Sequence, residues 1–126
     1  MIRISAAILL LTATAASAEP FGAAFCQHMK DNFDACIEEL QTTNSDGQFL
    51  NECPKTIRLM DATYEISTPK VPPSRRPAFE RAHKAWEYIA YRIGWHVGES
   101  DDAYEARLDK YSSDIDTECA NLEALD

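Results

Sequence analysis

Four cysteines, Cys26, Cys36, Cys53 and Cys119, constrain this chain more than any other feature, because three of them fall on apolar stripes of helical spacing. An even count becomes two disulfides only in an oxidising compartment, and the first residues point to one. Met1-Ile2-Arg3 is a charged start, an apolar run follows from Ile4 to Leu11, and Ala16-Ser17-Ala18 has the form of a cleavage site. The run from Ile4 to Ala18 is shorter than the roughly 20 residues needed to span a bilayer. Residues 1–18 are therefore expected to be a cleaved secretory leader with no lipid-carrying cysteine behind it. The product is expected to be periplasmic or secreted, with no membrane anchor. No Cys-x-x-Cys pair occurs, which disfavours the rival reading of the cysteines as metal or haem ligands. Residues 19–126 are long enough for a single domain, and small enough that cross-links add noticeably to a modest core.

Helical spacing recurs along that domain. Phe25, Cys26, Met29, Phe33, Cys36, Ile37 and Leu40 predict a first helix over 25–40, and Thr42 to Gly47 is a cluster of turn formers. Pro54 suits a helix start, and Ile57, Met60 and Tyr64 carry a second helix to about Ile66. Three prolines between Ser67 and Ser74 predict an extended, stiff linker. A third helix is expected from Arg76 to Val97, ended near Gly98. It has one stripe of Phe79, Ala82, Trp86, Ile89, Ala90, Ile93 and Val97 and a second of Tyr88, Tyr91 and Trp95, so it is expected to be the buried, central helix. Ser100 before Asp101 and Asp102 is a cap with acids at the positive end of the helix dipole. Tyr104, Leu108, Tyr111, Ile115, Cys119 and Leu122 follow as the stripe of a fourth helix. The expected fold is all-α, a small up-down helical bundle of about four helices stapled by disulfides.

Helix geometry bears on which cysteines pair. Cys26 and Cys36 on one straight helix are about 15 Å apart, beyond the about 7 Å reach of a disulfide. Cys36 and Cys53 lie at equal sequence distances from the turn near Asn44 and Ser45, as an antiparallel hairpin requires. Cys26 is left to Cys119, joining the start of the first helix to the end of the fourth, neighbours in an up-down bundle.

The charge balance narrows the partners. Twelve Lys and Arg against 21 Asp and Glu give a net charge of −9, and losing Arg3 with the leader would take it to −10. Nucleic acid and anionic membranes are poor partners for such a chain. Residues 99–126 hold ten acids against Arg107 and Lys110, whereas Lys70 to Lys84 holds five bases against Glu80. The acidic run reads as a solvated helix face or as a surface that steers in a cationic partner, such as a basic cell-wall hydrolase.

Chemical motifs are sparse. His28, His83 and His96 are the histidines, and only His83 with Glu87 has the i, i+4 spacing that places two ligands on one helix face. That pair reads as a solvated surface pair, so neither metal, cofactor nor catalytic residues are assigned. Thiols held in bridges offer no nucleophile, and Asp114 with Asp116 and Asp101 with Asp102 read as solvated faces. Tyr88, Tyr91 and Trp95 read as core if the third helix is covered on both sides, and as an interface if one face is open. The candidate partner-binding residues are accordingly Tyr88, Tyr91, Trp95, Asp101, Asp102, Glu105 and Asp109.

Two stretches carry a family resemblance: Cys36 through Asp46 to Leu50-Asn51, and Ala82-His83-Lys84-Ala85-Trp86 leading to Tyr91-Arg92. They resemble the LprI family of small secreted bacterial proteins, named for a lysozyme inhibitor. Trp86 and Tyr91-Arg92 stand two residues further apart here than in the family pattern, and Ile93, Gly94 and Trp95 replace its Asp and Cys. The resemblance implies a secreted helical domain without catalysis, and its departures bear on the disulfide pattern more than on the fold; the expected function is a binding protein that inhibits a basic cell-wall hydrolase such as lysozyme, or a toxin. A periplasmic stress chaperone and an uncharacterised small enzyme are the alternative readings.

Overall fold

The computed structural model describes residues 20–126, so the leader expected over 1–18 lies outside the described residues. Four helices follow one another: α1 (Phe21–Leu40), α2 (Pro54–Ser67), α3 (Arg76–Ala90) and α4 (Asp101–Glu123). They alternate in direction, and the only sheet-like feature among the described residues is a single antiparallel bridge between Thr43 and Phe49. The fold is a small all-α bundle held by two disulfides.

Both bridges follow from the helix faces. Cys26 and Cys119 have Cα atoms 5.0 Å apart, and Cys36 and Cys53 5.2 Å apart. The first ties the start of α1 to the end of α4, and the second ties the end of α1 to the residue before α2. This is the pairing that helical rise and hairpin symmetry select.

The stripes meet in one core. Met29, Met60, Phe79, Trp86, Ile93, Ile115 and Leu122 are its largest fully buried side chains. Trp86 lies between α1 and α3, and its indole Nε1 donates to the Met29 carbonyl at 3.1 Å, so a buried donor is satisfied as the ring is buried. Asn32, also buried, donates its amide to the His28 carbonyl at 2.8 Å.

Helix ends deviate from the expected bounds for physical reasons. α1 begins four residues before the expected Phe25, because Asp126 from the far end of the chain caps it, accepting from Gly22 N at 2.6 Å and Ala23 N at 2.9 Å. The start of α1 lies so close to the end of α4 that a Cβ on Gly22 would overlap the Leu122 carbonyl. The expected extended linker is instead a 3-10 turn, Thr68–Lys70, and a second tight turn. Thr68 Oγ1 donates to the Tyr64 carbonyl at 2.6 Å, and the Arg76 side chain donates to the carbonyls of Val71 and Pro69. Prolines stop the long helix without straightening the chain.

α3 is shorter and more open than its periodicity predicts. It ends at Ala90, not Val97, and it is not covered on both sides. Tyr88, Tyr91 and Trp95 are 56%, 50% and 46% exposed. The central position is shared, since α1 and α3 face each other and each touches the other three helices.

Candidate functional site

Alternating helix directions place the end of α1, the start of α2, the end of α3 and the start of α4 at one end of the bundle. Two loops, 41–53 and 91–100, therefore close the same end. The first is a tight turn in which Asn44 Oδ1 accepts from Asp46 N and Gln48 N, with Gly47 at φ 77°. The two loops touch where Gly94 meets the backbone of Asn51, so closely that a Cβ at position 94 would overlap the Asn51 carbonyl.

Arg107, on α4, shapes the second loop. Its guanidinium donates to the carbonyls of Arg92 and Gly94, and to both carboxylate oxygens of Glu99 at 2.9 and 2.8 Å. This fork donates to carbonyls of the chain as it leaves α3, so the backbone turns away from helix after Ala90. The Arg107 bond holds the Glu99 carboxyl at about 2, against burial that would raise it. Gly98, at φ 84°, closes the loop's last turn in place of capping a helix. Trp95 is fixed by its indole donating to the Glu99 carbonyl at 3.0 Å.

The aromatic candidates stand on this framework. Tyr91 and Trp95 lie in the loop itself, while Tyr88 sits one turn earlier on α3 with the Arg92 guanidinium 3.7 Å above its ring. Tyr88 also lines a shallow groove of about 490 Å³ between α3 and α4, shared with Arg81, Lys84, Asp114 and Glu118. Two exposed apolar residues join the same end: Phe49, 72% exposed, which carried no signal beyond being apolar in a polar loop, and Val97, 96% exposed, which was expected on the buried stripe of the third helix and lies beyond its end.

The acidic candidates open onto this end and run down its flank. Asp101 and Asp102 form the first turn of α4 behind Ser100, whose hydroxyl accepts from Ala103 N at 3.1 Å. Glu105 and Asp109 follow one and two turns on, exposed. Arg107 is turned inward, and Lys110 pairs with Asp114 at 2.9 Å. Among the described residues, Asp101, Asp102, Glu105 and Asp109 have no ion-pair partner.

A second cluster lies apart from the loop end, and it overturns the reading of His83 and Glu87 as a solvated pair. His83 is only 8% exposed. Its ring stacks on Tyr64 of α2, with centroids 4.1 Å apart and planes 5° from parallel. Nε2 is 2.9 Å from Asp61 Oδ1 of α2, and Nδ1 is 3.4 Å from Glu87 Oε1. One donor atom from each of the three side chains lies within 4.8 Å of the others. Asp61 was not a sequence candidate, since only the antiparallel register of α2 and α3 brings it to His83. Burial raises the Glu87 carboxyl above its usual range; His83 opposes that rise and Asp61 adds to it.

Comparison with known proteins returns no matching family model, no matching curated protein and no matching solved structure. Among the described residues, no helix is long and apolar enough to cross a membrane.

Proposed function

We propose that this is an exported, periplasmic or secreted binding protein without catalysis, whose loop end docks a cationic protein partner. A basic cell-wall hydrolase of the lysozyme kind, or a basic toxin, is the concrete partner, in keeping with the LprI-like stretches. The observation that carries this reading is the exposed aromatic row of Tyr88, Tyr91 and Trp95 at the end where the unpaired acids of α4 begin. Rigid aromatic side chains beside unpaired charge supply both halves of an interface. The rings bury apolar area at little entropic cost, and the acids accelerate encounter with a basic surface. Trp95 and Tyr91 are the anchors, with Phe49 and Val97 extending the apolar patch. Asp101, Asp102, Glu105 and Asp109 steer.

Immobilised, disulfide-bonded protein is expected to retain a basic hydrolase from periplasmic extract, or lysozyme itself, at low salt and to release it at moderate salt. Trp95→Ala is expected to weaken retention by tenfold or more by raising the dissociation rate. Asp101→Asn with Asp102→Asn is expected to slow association. Retention of no basic protein, or retention indifferent to all three substitutions, would sink this reading.

A further inference from the structure

The geometry points to a divalent transition-metal site, zinc being the ion expected, formed by Asp61, His83 and Glu87 and clamping α2 to α3. It is independent of the loop end and of any partner there.

Three features support it. The first is the donor set: one imidazole and two carboxylates suit zinc, and three protein ligands leave its fourth position open to water or to an exogenous ligand. The second is preorganisation. Metal-bound donors sit about 2.0 to 2.2 Å from zinc; the three atoms already lie within 4.8 Å of one another, and because Asp61 faces Nε2 and Glu87 faces Nδ1, one carboxylate turns to the ring nitrogen that takes the metal. His83 is held by its stack on Tyr64, while Asp61 and Glu87 are partly exposed. His83 and Glu87 are also one helical turn apart on α3, the spacing that aims two ligands the same way.

The third is charge. Even a protonated imidazole cancels only one of the two carboxylates facing it, whereas a divalent cation with neutral His83 balances both. Lys84, next to His83 on α3, is engaged with Glu80 at 2.9 Å.

The test is calorimetric titration of zinc chloride into the purified, disulfide-bonded protein after treatment with chelator. One equivalent is expected to bind in the micromolar range, and cobalt in its place is expected to give the intense visible absorption of a four-coordinate centre. His83→Gln and Asp61→Ala are each expected to weaken zinc binding at least tenfold, with helical content unchanged by circular dichroism. Asp102→Asn, on the acidic flank of α4, is expected to leave it unaltered. Should His83→Gln fail to fold, Asp61→Ala decides alone, since Asp61 is partly exposed. No saturable binding below the millimolar range, or zinc affinity unchanged in Asp61→Ala, overturns the site; in the second case the bound cations belong to the acidic surface.

Discussion

Glu39 shows how much of this fold depends on single carboxylates acting far from their own place in the sequence. In the last turn of α1, it accepts from Lys55 N at 3.0 Å, Thr56 N at 2.9 Å and Thr56 Oγ1 at 2.8 Å. The residue before α2, Cys53, is committed to a disulfide and offers no side-chain cap, so Glu39 caps that helix from its neighbour. Burial would raise its carboxyl, but the backbone donors of Lys55 and Thr56 outweigh burial and hold it below 4.5. A lowered carboxyl stabilises the folded state above its unfolded value and loses that contribution as pH falls through the lowered one. Glu39→Ala is therefore expected to cost about 1 kcal/mol near neutral pH, as loss of a helix cap does. The gap from the parent chain should narrow as both are acidified. Urea denaturation at pH 7 and below pH 4 measures this, and a gap that widens in acid would refute it. Asp126 plays the same part for α1. Neither role was legible in the sequence, because a cap supplied from 16 or 104 residues away leaves no local motif.

At the scale of elements, the stripes that predicted four helices are the faces the bundle buries, since a 3.6-residue period of apolar side chains has few other uses in a small domain. Where α3 ends was not legible. Ile93 continues the stripe and is buried, so periodicity alone extends the helix past it. What stops the helix is Arg107, which binds the carbonyls of Arg92 and Gly94 from another helix, together with the close approach of Gly94 to Asn51. This loop carries Tyr91 and Trp95, so Arg107 positions the candidate interface without belonging to it. Arg107→Ala is expected to leave helical content nearly intact while releasing the segment from Arg92 to Glu99. Trypsin should then cleave after Arg92 several-fold faster than in the parent chain, and Trp95 fluorescence should shift to the red. Unchanged cleavage and fluorescence would show that the Gly94 contact alone holds the loop. Glu99 titrates at about 2 in the folded chain, against 4.5 ordinarily. Its contribution is therefore complete above pH 4.5 and fades only as pH falls from there toward 2, leaving the loop largely tethered under moderate acid.

Across the whole molecule, the two disulfides divide the labour between the two ends of the bundle. Cys26–Cys119 closes a separation of 93 residues at the end where Gly22 meets Leu122, whereas Cys36–Cys53 closes only 17 at the end that carries both loops. Their placement was legible because helical rise is fixed and hairpins are symmetric. Which side chains would stand exposed at the loop end was not, because that depends on where α3 stops. In the chain-entropy account, the long closure is worth on the order of 4 to 5 kcal/mol and the short one about 3 kcal/mol. The double replacement of Cys26 and Cys119 by alanine is thus expected to cost more stability in denaturant than replacement of Cys36 and Cys53. Binding at the loop end should respond in the opposite order. The short bridge anchors the loop from Gln41 to Cys53, against which Gly94 and its neighbours rest, so its loss should loosen Phe49 and Trp95 and weaken partner retention while most of the stability survives. Loss of the long bridge should leave retention intact wherever the chain is still folded. Paired unfolding and binding measurements on the two double variants separate these effects. If the variant lacking Cys26–Cys119 bound less well while folded than the one lacking Cys36–Cys53, the interface would have to lie toward the chain termini and not at the loops.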